Sequence, residues 1–147
     1  MTQSDTAETF YRDVITLTRK VRTLFDARAS SRGLTYARAR LLLHMSTCEV
    51  QTQAELAEAM EVERPTMARL IDGLEEAGMV RREVLSGDRR QRHVHLTDQA
   101  KTEAAAVSAL TDTLRAELVA GIPAEELERA HRVIEQMLDN VVKAACS

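Results

Sequence analysis

Apolar residues recur at helical spacing along most of this chain, and only one short segment has the spacing of β-strands. Between residues 8 and 28 they recur at alternating steps of four and three, which predicts an amphipathic helix with a heptad-like seam. The seam consists of Phe10, Val14, Leu17, Val21 and Leu24. Spacing and end signals predict further helices from Thr35 to about Ser46, Thr52 to Met60, Pro65 to Ala77, Thr97 to Leu118 and residues 124 to 144.

Two short helices in the middle of the chain have clear end signals. Thr52 and Glu55 have the spacing of a capping box, in which each side chain can bind the other residue's backbone amide. Pro65 suits a first helical turn because its missing N–H would have no partner there, and Gly78 suits a helix C-terminus. The sequence therefore predicts two helices joined by a tight turn.

The spacing changes after the second of these helices. Met79–Val84 and Arg92–Leu96 alternate as strands do, with Val94 and Leu96 on one face of the second strand. The residues between them, Ser86-Gly87-Asp88, favour a turn. The segment is predicted to be a two-stranded hairpin.

Short helices followed by a hairpin are the parts of a winged helix-turn-helix domain, here over residues 34–97. The predicted fold class is mainly α with a small β wing. The helical regions at 1–33 and 98–147 flank this domain, and their long apolar seams have no further core in the same chain to cover them. A second copy of the chain would bury them best, which predicts a homodimer with the flanking regions as its dimerisation part.

The charge of the chain is concentrated in one place. The 147 residues have a net charge of −3 and 44% hydrophobic content, and no apolar run is long enough to span a membrane. Residues 79–97 nevertheless hold five arginines against Glu83 and Asp88. With no secretion signal visible, we expect a cytoplasmic protein with reduced cysteines. The few aromatic residues all lie outside the hairpin, which argues against a binder of single strands.

The helix after the turn has the arrangement that a major groove requires. If Met67 faces the core, Arg69 points almost directly away from it, with Thr66 beside it. An outward arginine can bond a guanine edge or a phosphate, although a solvated amphipathic helix would look the same. At the hairpin tip Arg90 could enter a narrow minor groove while Asp88 holds its guanidinium, or the tip could simply be a charged turn.

The run TQAELAEAMEVERPTMARLIDGLEEAGMVRREVLSGDRRQRHVHLTDQAK resembles the winged-helix core of the multiple antibiotic resistance regulator (MarR) family. The tail RAELVAGIPAEELERAHRVIEQML is most similar to the SlyA branch. The resemblance implies a homodimeric transcription factor, with each winged domain on one half of a pseudo-palindromic operator in double-stranded DNA. Carried onto this chain, it implies that the DNA-binding residues are Thr52, Gln53, Arg64, Thr66, Arg69, Asp88, Arg89, Arg90 and Arg92.

The resemblance also implies a sensor. Members of the family commonly bind small anionic aromatic molecules between the dimer helices and the winged domain. The residues here that would line such a pocket are Arg19, Arg22, Arg38 and His44, although each could equally form a surface or interface salt bridge. Peroxide-sensing relatives use a cysteine in the first helix, and this chain has none before Cys48.

Other chemistry finds little support in the sequence. We see no nucleophile–base pair, phosphate loop or cofactor motif, so an enzyme is not expected. His93 and His95 share a strand face that zinc could use, but no third ligand is evident. The predicted function is a DNA-binding regulator, specifically a ligand-responsive repressor. The alternative is a small-molecule-binding or protein-interaction adaptor that has the same fold and no specific operator.

Overall fold

The computed structural model describes residues 2–48, 50–84 and 92–146. The chain begins with α1 (Gln3–Ala29), a short 3-10 turn (Ser30–Arg32) and α2 (Tyr36–Thr47). A two-residue strand, β1 (Gln51–Thr52), leads directly into α3 (Gln53–Ala59), and α4 (Arg64–Glu76) follows. The hairpin consists of β2 (Val80–Val84) and β3 (Arg92–Leu96), and the chain ends with α5 (Asp98–Leu118) and α6 (Ala124–Ala145).

The caps expected from the sequence are formed. Thr35 accepts a hydrogen bond from the amide of Arg38, and the Thr52–Glu55 capping box is complete. Thr97 accepts one from the amide of Ala100 at the start of α5 and donates its hydroxyl to the carbonyl of Gly78 (2.7 Å). Because these bonds satisfy amides that have no partner inside the helix, they set where each helix begins.

The hairpin is part of a larger sheet than expected. The predicted hairpin is confirmed, and β1, which the sequence did not predict, adds a third strand and gives the antiparallel order β1-β3-β2. Gln51 pairs with Val94 and Thr52 with His93, while Val80 pairs with Leu96 on the other side of β3. Since β1 ends where α3 begins, the sheet ties the first helix of the helix-turn-helix to the wing.

The chain divides into two compact units, Met1–Asp112 and Thr113–Ser147. The first unit contains the apolar core, to which α2, α3, α4, β3 and α5 all contribute. None of the described helices is long and apolar enough to cross a membrane. The largest fully buried side chains are Leu41, Leu42, Leu56, Met67, Ile71, Leu74, Val94 and Val107. The predicted division at residues 33 and 97 stays a prediction.

Candidate nucleic-acid interface

Helix α4 has one fully buried face and one exposed face, as its spacing predicts. Pro65 lies in its first turn, where no intrahelical amide is required. Met67, Ile71 and Leu74 are completely buried, and Arg69 on the opposite side is exposed. The core therefore fixes which side of α4 is presented to solvent.

Three predicted reading residues lie on the exposed side of α4. Arg64, Thr66 and Arg69 are all exposed, and none of their side chains has a hydrogen-bond or ion-pair partner among the described residues. An arginine without an internal partner keeps all five N–H donors available for an incoming acceptor. This face can consequently bind phosphate oxygens or base edges without first breaking a contact inside the protein.

One side of α4 is held by an arginine that sequence reasoning did not identify. Arg82 of β2 donates from Nη2 to Asp72 and from Nη1 to Glu75, both at 2.5 Å. Its Nη2 also donates to the side-chain oxygen of Gln53 at the start of α3 (3.4 Å). The guanidinium thus connects the wing to both helices of the helix-turn-helix, and we call these four residues the Arg82 cluster.

The Arg82 cluster also reduces the negative charge of the candidate interface. The Arg82 side chain is only 15% exposed. Burial lowers its pKa, but the bonds to Asp72 and Glu75 outweigh that effect, so the pKa lies above its ordinary value. The single positive charge of Arg82 offsets one of the two negative charges of Asp72 and Glu75, so this part of α4 opposes a phosphate backbone less than the sequence suggests. The alternation of β2 could have identified Arg82 from the sequence, since Val80 is buried and position 82 lies on the same face of the strand.

Thr52 and Gln53 have structural partners of their own. The hydroxyl of Thr52 donates to Glu55 Oε2 (2.9 Å) and accepts from the Glu55 amide (3.2 Å). The backbone and hydroxyl bonds from Thr52 hold the pKa of Glu55 below its usual value. Contact of Thr52 and Gln53 with phosphate stays a prediction, and it would have to coexist with the cap and the Arg82 cluster.

The wing is described up to the base of its loop. β2 and β3 pair in register from Val80–Leu96 to Val84–Arg92, and Arg92 is exposed at the start of β3. The predicted tip residues Asp88, Arg89 and Arg90 lie outside the described residues. The hairpin therefore has the length and position of a wing, and the roles of the tip residues remain predictions from the sequence.

The comparisons with known proteins agree with this architecture. A family model described as "MarR family" matches residues 32–91. The transcriptional regulator PA3341 is 36% identical, the match covers 91% of this chain and 98% of that one, and the TM-score is 0.78. The chain belongs to the MarR family.

Two further structures show how far the MarR fold extends. MepR of S. aureus, solved as a complex with DNA, is 20% identical over 90% of this chain and 97% of its own, with a TM-score of 0.84. The transcriptional regulator SlyA is 19% identical over 91% and 94%, with a TM-score of 0.82. The chain thus has the fold of a MarR-family transcriptional regulator.

The four residues expected to line a MarR ligand pocket each have their own set of neighbours. Arg19 is exposed on α1, and the Arg22 guanidinium lies 5.2 Å from the centre of the Tyr36 ring. Arg38 lies against Gly73 of α4, in the space that a Cβ there would occupy. The fourth residue, His44, has its Nε2 2.9 Å from Gln51 Oε1 and 3.7 Å from Cys48 Sγ. Shared lining of one pocket by these four residues stays a prediction.

The two wing histidines do not form a recognisable metal site. His95 Nε2 lies 3.2 Å from Glu83 Oε2, but the geometry is not that of a hydrogen bond, and His93 Nδ1 is likewise buried without a hydrogen-bond partner in the described part of the chain. Among the described residues no three histidine, cysteine or carboxylate side chains cluster as metal ligands would. Zinc bound on this strand face therefore gains no support from the described part of the chain.

Proposed function

We propose that this MarR-family protein is a homodimeric repressor that binds a pseudo-palindromic operator in double-stranded DNA and responds to a small ligand. The observation that carries the DNA-binding part is the exposed face of α4, where Arg64, Thr66 and Arg69 have no partner among the described residues. The Arg82 cluster connects this helix to β2 and α3. In this proposal the protein binds DNA and catalyses no reaction.

The apolar residues left exposed on a single chain support a dimer. On α1, Phe10, Tyr11, Ile15 and Leu17 are exposed. No residue of α6 is buried, and Leu138 and Val141 are 61% and 65% exposed. Apolar side chains repeated along two helices are costly in water and are usually covered by another protein surface. A second copy with the same two helices is the simplest cover and would place two α4 helices on successive half-sites.

Selection of bound duplexes from a random library tests this function. We expect an enriched sequence with two inverted half-sites whose centres lie about one helical turn, roughly 10 base pairs, apart. Sedimentation of the free protein should show a dimer, with twice the 16.4 kDa mass of one chain. A monomer, or a library in which no sequence is enriched after several rounds, would contradict the proposal. Either result would favour the alternative, an adaptor that has the same fold and no specific operator.

The wing can be tested by the salt dependence of binding. In Arg90→Ala we expect weaker operator binding and a slope of log K against log salt that is smaller by about one, because one fewer cation displaces counterions from the DNA. The measurement is fluorescence anisotropy over a salt series. Arg129→Ala, which removes the same charge from α6, serves as the control and should keep the wild-type slope. A wild-type slope in Arg90→Ala as well would show that the tip does not contact DNA.

A further inference from the structure

Gly73 in the interior of α4 leaves room for a side chain from another helix. A Cβ at this position would lie 2.8 Å from Cζ of Arg38 and closer still to its Nη2, so the Arg38 guanidinium lies directly beside the Gly73 backbone. Apart from proline, glycine is the least favourable residue in a helix interior. Alanine would therefore suit α4 better at position 73, but it would displace this positive charge.

Arg38 reaches Gly73 because of its place in α2. It lies in the first turn of that helix, where its amide donates to the Thr35 hydroxyl. Leu42, one turn later, is fully buried, so Arg38 points to the same side of α2, towards the core and α4. The residue is half-buried, and its guanidinium has no hydrogen-bond or ion-pair partner in the described part of the chain. Packing thus positions the charge, and no acidic group binds it.

The Arg38 guanidinium lies in line with two residues of the exposed face of α4. Thr66, Arg69 and Gly73 follow one another at steps of three and four, which places them in one row along the helix surface. Because Gly73 has no side chain, the guanidinium from α2 fills the next position of this row. The exposed face consequently carries a second positive charge directly after Arg69.

Arg38 and Arg82 approach α4 on different sides of Arg69, and their charges are balanced differently. Asp72, which Arg82 binds, lies on one side of Arg69 around the helix, and Gly73 lies on the other. Two carboxylates contact Arg82, whereas Arg38 has no carboxylate partner within residues 2–48, 50–84 and 92–146. Arg38 therefore adds to the positive potential of the candidate interface.

A helix in the major groove has phosphates along both of its sides. The groove is about 12 Å wide, which is roughly the diameter of a helix with its side chains. A cation held beside such a helix therefore meets the sugar-phosphate backbone. We infer that Arg38 is a DNA-contacting residue that binds a phosphate next to the bases that α4 reads. The inference rests on the proposed function, and it adds α2 to the elements that contact DNA.

Removal of the charge tests this contact. In Arg38→Ala we expect operator binding to weaken about fivefold and the slope of log K against log salt to fall by about one. Since a phosphate contact does not depend on sequence, binding to random duplex should weaken by the same factor. Arg40→Ala, which removes an exposed arginine near the Tyr36 ring from the same helix, is the control and should keep the wild-type slope. Fluorescence anisotropy over a salt series measures both quantities.

Gly73→Ala tests the geometry without removing a charge. The new Cβ would displace the Arg38 guanidinium, so binding should weaken several-fold even though α4 gains a better helix former. In an Arg38→Ala background the same change should leave DNA affinity unaltered and raise the melting temperature, because no guanidinium then occupies the space.

The results distinguish this inference from the DNA-binding proposal. A purely structural role of Arg38 would lower the affinity without changing the salt slope. The inference is overturned if Arg38→Ala keeps the wild-type slope, if Gly73→Ala does not affect binding, or if Gly73→Ala weakens binding equally with and without Arg38. In each of those cases the wild-type protein would still select an operator if the proposed function is correct. A wild-type protein that binds no duplex would instead overturn the proposed function and this inference together.

Discussion

Replacing Arg82 by methionine is expected to lower the free energy of unfolding by about 2 kcal/mol, because two charge-assisted hydrogen bonds are lost together. The cost stays below the 3–5 kcal/mol typical of a broken buried pair, since Asp72 and Glu75 are 57% and 41% exposed and water can solvate them after the change. Urea denaturation followed by circular dichroism measures this difference.

Arg82→Met should also weaken operator binding more than binding to random DNA. The Arg82 side chain is mostly buried by its contacts with α4 and α3, so we expect its effect to act through the orientation of α4 relative to α3 and the wing. The matched control is Arg81→Met, which removes the same charge from the neighbouring exposed position of β2. This control should change stability by less than about 0.5 kcal/mol. Equal effects at both positions would show that charge alone matters and that the cluster does not position α4.

A rescue experiment separates positioning from a general loss of packing. In an Arg82→Met background, Asp72→Asn with Glu75→Gln removes the two unpaired carboxylates, and only a small part of the lost stability should return, because water already solvates both groups. Operator affinity should remain reduced, because neutral side chains no longer connect β2 to α4. Recovery of both properties would mean that Arg82 serves only to neutralise the two acids.

The sequence predicted the helices well because their ends are encoded locally. Thr35, Thr52 and Thr97 each cap a helix within three or four residues, and Pro65 begins α4 as its backbone chemistry requires. Such short-range signals do not depend on how the chain folds elsewhere. The spacing of apolar residues is also a short-range signal, and it predicted the buried face of α4 correctly.

The contacts that the sequence did not predict are all long-range. β1 has only two residues, too few for any alternation, and exists because β3 pairs with it. Arg82 reaches Gln53 across 29 positions, and its role depends on which face of β2 packs against α4. Arg38 lies on Gly73, one turn after Arg69, so a residue expected in a ligand pocket also contacts α4 beside its exposed face. Local patterns carry no information about such pairings until the sheet and helices are assembled.

Replacing Arg69 by alanine is expected to weaken operator binding by about 1–3 kcal/mol and to relax the base preference at one position of each half-site. The reason is that Arg69 points away from the buried face of α4 and has no partner among the described residues. Anisotropy titrations of the operator, single-base operator variants and random duplex at one salt concentration measure affinity and preference together.

A lysine at the same position distinguishes reading of a base from attraction to the backbone. Arg69→Lys keeps the charge but cannot form two parallel hydrogen bonds with a guanine edge, so binding to random DNA should persist while the operator preference falls. Arg129→Ala on α6 is the control for loss of one positive charge and should retain both affinities. If Arg69→Ala weakens operator and random duplex equally, Arg69 contacts phosphate, and base reading by α4 must then come from Arg64 and Thr66. That outcome would leave the docking of α4 intact, because phosphate contacts also require its exposed face to lie on the DNA.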